Sequence, residues 1–384
     1  MTLKDKKICF VLAFKSPYGG NLISSLECLA QKLQAQGCTV MWIFPEQTKK
    51  DWLIQLEKTY SVYYIKSSYK ESQEDFYKFF QRYHVDLVHT HFEKYDESVA
   101  KACIRIKWEI KQVWHIHDYL DYNGNLLNKI KCHFSYYRHY YIYGKKAYLI
   151  PISNEMANFC DHYRQGKFYF PAKTFNKKVI HTYKRSSTVI NGIMNNRIHK
   201  SNNIHIPREP FVFLSYGGIN TNKRIEILAQ ACKILYEKGY NIKLKLTKGI
   251  GTTESIIQTL GTINYDWLEI ITQTENINSL LEQASCYVST SIKETMSMAI
   301  AEATIFGKPV IQSDIAGTWW NAQNPSTYLF KSKNLEDLVK TMELLINTPN
   351  EQIIEKCKIT QERNSNLLNI NLWCDKIISI YNKL

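Results

Sequence analysis

Apolar and polar positions along the chain switch repeatedly between two periods. Residues 8–14 are an apolar run of strand length. After KSPYGGN, Leu22, Ile23, Leu26, Leu29, Ala30 and Leu33 recur at helical spacing, with Asn21 as the expected N-cap and Gly37 as the stop. Residues 38–44 return to a strand. The same reading predicts strands at 61–65, 86–91, 112–116 and 148–152, with helices over 72–83 and 95–107 and another starting at Ser153 or Asn154. The polar, proline-bearing NNRIHKSNNIHIPREP reads as an interdomain linker. The alternation then restarts, with strands at 211–216, 242–246, 267–272, 287–290 and 310–312. Helices are predicted from about Asn222, over 298–305, and near 334–347 and 350–364. Strands and helices in this order predict an α/β fold of two doubly wound parallel sheets.

The stretch STSIKETMSMAIAEATIFGKPVIQSD places Glu294 and Glu302 eight residues apart. On one helix they would be about 80° apart; with Glu294 in the preceding loop, its carboxylate can point at the helix N-terminus. In a parallel sheet that is where diphosphates bind, because the first-turn N–H groups lack acceptors. A carboxylate a turn or so further in can accept both hydroxyls of a ribose. Gly307 is placed to end the helix, and Pro309 precedes the next strand. Gly19-Gly20 and Gly217-Gly218 each follow a predicted strand, where glycine lets the backbone approach a ligand. The first pair lacks the full dinucleotide-binding glycine pattern and the acidic residue after the second strand, so a nicotinamide cofactor is not expected.

This glutamate stretch, down to GKPVIQSD, resembles the E-x7-E signature of the retaining glycosyltransferases of family 4, of the bacterial surface-polysaccharide type. The similarity runs along nearly the whole chain, strongest at 285–314 and weakest at 120–185. It implies the GT-B fold, two Rossmann-like domains facing a cleft. An acceptor-binding domain is expected over 1–200 and a nucleotide-sugar-binding domain over 205–367. The segment 368–384, with Trp373, is expected to pack back on the first. It also implies sugar transfer from a nucleotide-sugar, with UDP or GDP as the base carrier, and retained anomeric configuration. By resemblance Glu294 contacts the transferred sugar and Glu302 the ribose. Lys223, Arg224, Gly20, Gly218 and the Thr295–Met296–Ser297 backbone would grip the donor. Gly19 and the pair His117-Asp118 would face the acceptor. Catalytic roles fall to Glu294, His117 and Lys223. The family's phosphate-holding arginine is replaced by Gly218, and the loop at Gln273-Thr274, expected near the base, lacks its usual glycine.

Composition narrows the surroundings of this chemistry. Length favours two domains, and 45% hydrophobic residues suffice for real cores. Lys4, Lys6 and Lys7 ahead of residues 8–14 mimic a signal peptide, but seven apolar residues with no cleavage site read as a buried strand. No run reaches the length of a membrane span. Ten cysteines without a C-x-x-C pair are expected to be reduced core residues, which points to the cytoplasm. His89, His91, His115 and His117 sit at two strand ends, yet no cysteine or glutamate joins them at a ligand spacing. There is also no D-x-D motif, so neither metal nor cofactor is expected.

The net charge of +14 is one-sided: residues 1–200 hold 31 Lys+Arg against 17 Asp+Glu, whereas 201–384 hold 18 of each. Within the basic half, residues 125–146 place Leu126, Leu127, Ile130, Phe134 and Tyr137 at helical spacing among Lys129, Lys131, Arg138, Lys145 and Lys146. Such a helix suits the inner face of a membrane, where each nearby cation contributes about 1 kcal/mol on anionic lipid. A glycan acceptor on a polyprenyl diphosphate or another anionic lipid tail is therefore expected, and nucleic acid is not, since no recognition motif accompanies the charge. Two other readings remain open: a weakened partner subunit of another transferase, which Gly218 permits, and a nucleotide-sugar epimerase of similar fold.

Overall fold

The structure is a computed structural model. It describes residues 3–16, 18–46, 50–118, 126–168, 185–194, 196–249, 251–272, 274 and 276–384. The chain divides into two compact units. Gly192 closes the main body of the first and Ile193 opens the main body of the second; the C-terminal residues Ile370–Leu384 belong to the first.

The first unit runs β1(Lys7–Leu12), α1(Gly20–Ala35), β2(Thr39–Pro45), α2(Asp51–Thr59), β3(Ser61–Ile65), α3(Gln73–Tyr83), β4(Leu87–His91), α4(Asp96–Arg105), β5(Lys111–Ile116), α5(Leu126–Tyr136), β6(Tyr148–Pro151) and α6(Asn154–Arg164). Its six strands are all parallel, in the order β3-β2-β1-β4-β5-β6. Because successive residues of a strand face opposite sides, β4 sends Val88 into one core with Cys9, Val11, Phe76, Phe80 and Val99. His89 and His91 go to the other face.

The second unit runs β7(Phe211–Ser215), α7(Ile225–Glu237), β8(Ile242–Thr247), α8(Glu254–Leu260), β9(Leu268–Ile271), α9(Ile277–Gln283), β10(Cys286–Ser289), α10(Met298–Phe306), β11(Val310–Ser313), β12(Thr327–Phe330), α11(Leu335–Asn347) and α12(Asn350–Leu367). Its parallel sheet has the order β12-β11-β10-β7-β8-β9. Read from β9, this repeats the strand order of the first unit, so each sheet reverses beside its own first strand, where α/β proteins bind ligands. The last helix, α13(Ile370–Lys383), packs on α1 in the first unit and buries Trp373, Ile377 and Tyr381.

Several local expectations change. Asn21 is not the cap of α1: Gly19 stands at that position, and the buried Asn21 amide donates to the Gly192 carbonyl at 2.7 Å. Helix α7 begins at Ile225, not Asn222, because Arg224 adopts a left-handed φ of 48° that helical backbone does not tolerate. Lys223 therefore lies in the turn before the helix. The stretch read as a linker is packed: Ile198, Ile204 and Ile206 are buried, the last two in the core of the second unit. Helix α5 gives way to a π-helical turn over Tyr137–Tyr143. Its buried face is formed by Tyr136 and Tyr140 against Phe159 and Tyr163. Leu127, Ile130 and Phe134, the expected apolar face, are 66%, 43% and 64% exposed. Among the described residues no helix is long and apolar enough to cross a membrane.

Candidate functional site

The carboxyl ends of β7 and β10 converge where the second sheet reverses. After β7 the chain passes through Gly217 and Gly218 with φ of 105° and 92°, a conformation that side chains disfavour. Position 218 is thus shaped for glycine. After β10 the chain enters the acidic loop, which is tied to the turn before α7. Thr290 Oγ1 donates to the Lys223 carbonyl at 2.7 Å, and the Ile292 amide to that of Asn222 at 2.8 Å.

Glu294 lies in the loop, not on the helix. Its Oε1 accepts from Lys223 Nζ at 2.5 Å and from Ser291 Oγ at 2.8 Å. From the far side the loop is held by the segment after β11. Trp320 Nε1 donates to the Met296 carbonyl at 2.6 Å. A Cβ on Gly317 would fall 1.8 Å from the Glu294 carbonyl oxygen, so only glycine fits against that peptide. Ser297 takes a φ of 60° immediately before α10. Its hydroxyl is buried without a hydrogen-bond partner among the described residues.

Helix α10 is apolar on nearly every side, as a helix enclosed on all sides must be; Ile300, Ala301, Ala303 and Ile305 are buried around it. Glu302 is its one charged residue, 2% exposed, and a buried carboxylate needs partners. Its Oε1 accepts from Arg197 Nε at 2.6 Å and its Oε2 from the Tyr216 hydroxyl at 3.0 Å. Burial, and then the neighbouring Glu302 charge, push the Tyr216 phenol well above its ordinary pKa, so it stays a donor. Arg224 pairs with Glu226.

One small volume thus holds Glu294, Glu302, Lys223, the amides that open α10 and the two glycines after β7. Arg197, Tyr216, Ser291, Gly317 and Trp320 were not singled out from the sequence. Arg197 was hidden in the apparent linker, while Trp320 lies beyond the glutamate stretch that the sequence made legible. A helix N-terminus beside a lysine suits an anionic group, and a buried, doubly held carboxylate suits a vicinal diol. Gln273 lies outside the described residues.

In the first unit, Gly19 and Gly20 open α1, with Gly20 at φ 58°. His117 follows β5 and is 8% exposed; its Nε2 is 2.9 Å from His91 Nδ1, and burial pulls its pKa down to about 3, leaving a neutral imidazole. Asp118 is exposed.

Residues 196–364 match the family described as glycosyl transferases group 1. The two sheets have the GT-B architecture. An uncharacterized glycosyltransferase of Haemophilus influenzae is 26% identical over 155 residues, 39% of this chain and 44% of that protein, so the match spans less than half of the relative. A glycosyltransferase from Rickettsia africae superposes with a TM-score of 0.75 at 17% identity, covering 99% of this chain and 98% of that one. Anabaena HepE, solved in complex with UDP, gives 0.75 at 17% identity over 98% and 100% of the two chains.

Proposed function

We propose that the protein is a retaining glycosyltransferase of family 4 that moves a sugar from a nucleotide-sugar donor to a glycan acceptor. The observation that carries this is the arrangement of Glu294, Glu302 and Lys223 about the N-terminus of α10. In this reading Glu302 exchanges part of its Arg197 and Tyr216 hydrogen bonding for the ribose hydroxyls. Lys223 leaves Glu294 for the donor diphosphate, freeing that carboxylate for the transferred sugar. The bond between the anomeric carbon and the diphosphate oxygen breaks. The acceptor hydroxyl attacks the same face, and its proton passes to the departing phosphate. Lys223 and the Thr295–Met298 amides stabilise the leaving charge without a metal at this site. UDP is the favoured carrier, because HepE of the same fold has been solved with UDP and with UDP-glucose.

On the acceptor side, Gly19, His117 and Asp118 would bind glycan hydroxyls. The exposed Leu127, Ile130 and Phe134, with Lys129 and Lys131 exposed beside them, support an acceptor on a polyprenyl diphosphate at an anionic membrane surface. In this reading the protein works at the cytoplasmic face of a membrane, in surface-polysaccharide assembly. Gly218 keeps a second reading in play, a donor-binding partner subunit without turnover of its own, since no arginine side chain stands there.

Thermal-shift titration with UDP, GDP, ADP and their sugar conjugates tests the donor site. A ligand held 100-fold above its Kd stabilises by about 2.7 kcal/mol. The expected outcome is a shift for one base that Glu302→Ala abolishes, with Lys223→Ala retaining the shift but slowing turnover. No shift for any nucleotide overturns the proposal, and binding without turnover in the wild type selects the partner-subunit reading.

A further inference from the structure

The face of the first sheet beneath α13 is lined by imidazoles. His89 and His91 alternate onto it from β4, and His115 comes from β5 in register with His91. All three are at most 1% exposed. One ring nitrogen from each lies within 4.8 Å of the other two. Burying a polar nitrogen without a partner is costly, yet four are left so at this point: His89 Nε2, His91 Nε2 and both ring nitrogens of His115 have no hydrogen-bond partner among the described residues.

The paired nitrogens are equally informative. His89 Nδ1 lies 2.5 Å from the Tyr381 hydroxyl, and His91 Nδ1 lies 2.9 Å from His117 Nε2. In both rings one nitrogen is anchored and the other is left without a partner, the pattern of metal-ligating histidines whose second nitrogen is held by an outer partner. Ordinary core histidines would use both.

We propose that His89, His91 and His115 bind one transition-metal ion of the imidazole-preferring class, for which Zn²⁺ serves as the probe. Nε2 of His89 and His91 and one ring nitrogen of His115 are the ligand atoms. Three neutral imidazoles form a three-histidine set of the kind that keeps a further position for water or another ligand. The tautomers this requires put the Nδ1 protons on the anchored side, His89 donating to the Tyr381 oxygen and His91 to His117. Zinc–nitrogen bonds of about 2.0–2.1 Å need the nitrogens closer than 4.8 Å, so loading draws the three rings together. Tyr381 belongs to α13, and the Trp373 ring of the same helix stacks on His115 with centroids 6.0 Å apart. The ion thus acts as a staple between the sheet and the C-terminal helix, outside the donor site.

The test is metal analysis of the full chain with its affinity tag removed, after chelation and reloading with Zn²⁺. The expected result is one ion per chain, lost in His115→Phe. Cobalt substitution should give a visible absorption band that the same variant lacks. Tyr381→Phe keeps the packing and removes only the outer hydrogen bond to His89, and should weaken Zn²⁺ binding about 10–100-fold. Chelation should speed amide exchange across α13. Substoichiometric zinc after reloading, or equal zinc in wild type and His115→Phe, overturns the proposal. None of these readouts depends on glycosyl transfer, so failure here leaves the donor-site reading standing, and failure there leaves this one.

Discussion

Glu302 is a buried carboxylate held by one cation and one phenol, and its neighbours set what the site can do. Removing the cation leaves charge in a low-dielectric surrounding with one donor. Arg197→Met is expected to destabilise the second unit by about 2 kcal/mol, the range for hydrogen bonds to charged groups, and less than for a fully buried pair because the arginine side chain is 26% exposed. Urea denaturation checks the stability, and nucleotide titration should show weaker donor binding. Lys223 illustrates a second point at this scale. Its ion pair with Glu294 means that the ligand-free site is electrostatically satisfied, and a diphosphate enters by exchange of partners.

At the scale of elements, the π-helical turn after α5 carries His139 into a buried acidic pocket formed with α4. Burial alone would lower the His139 pKa, but Asp96, 3.2 Å away, and Glu97 outweigh it and push it up to about 10. Burial also pushes the Glu93 carboxyl up to about 7. Because His139 titrates higher folded than unfolded, the folded state holds the extra proton between the ordinary value of 6.5 and about 10. Its contribution to stability is complete below that window and lost as pH rises through it. His139→Gln is expected to flatten the fall in stability between pH 6.5 and 10, read from denaturation midpoints at several pH values. The other face of the same helical stretch is exposed. Replacing Leu127, Ile130 and Phe134 together by serine is expected to leave the melting temperature nearly unchanged, since the side chains are already in water. It should abolish flotation with anionic vesicles if this stripe docks on lipid. Retained flotation would remove that surface from the acceptor model.

At the scale of the molecule, two sheets share one strand order, and the C-terminal helix returns to the first unit after the whole second unit has been made. Trp373 lies against Gly192, where an added Cβ would approach the Trp373 Cβ to 2.9 Å. Trp373→Ala is expected to cost the first unit about 3–5 kcal/mol. Hydrogen exchange should then quicken in β1, β4 and β5 and stay slow in β7 to β12; equal quickening in both sheets would contradict this.

Local patterns were sufficient for most strands and helices, because burial on a parallel sheet demands continuous apolar runs and a helix needs an apolar stripe. The glycine stop after α10 was legible too: Gly307 sits at φ 103°, a conformation the residue type itself announces. The Glu294–Glu302 spacing was legible, but whether one helix carried both was not. Ser297 breaks the helix with a left-handed φ that serine does not advertise. Arg197 looked like linker because its apolar neighbours Ile198, Ile204 and Ile206 are spaced irregularly, and irregular segments reveal burial only once the surface they cover exists. The stripe of 125–146 shows the converse error. Helical periodicity identified a face, but only the packing of Tyr136 and Tyr140 on α6 decided which face was inside. The histidines make the same distinction at its sharpest. Two strands placed them in the chain, and the register of β4 with β5, together with the cover of α13, brought three rings into one dry cluster. Sequence alone therefore determined the elements, their order and the chemical types available. Tertiary structure decided which of those groups meet, because partners from 26 to nearly 300 residues apart are joined by sheet register and helix docking, to which local periodicity is blind.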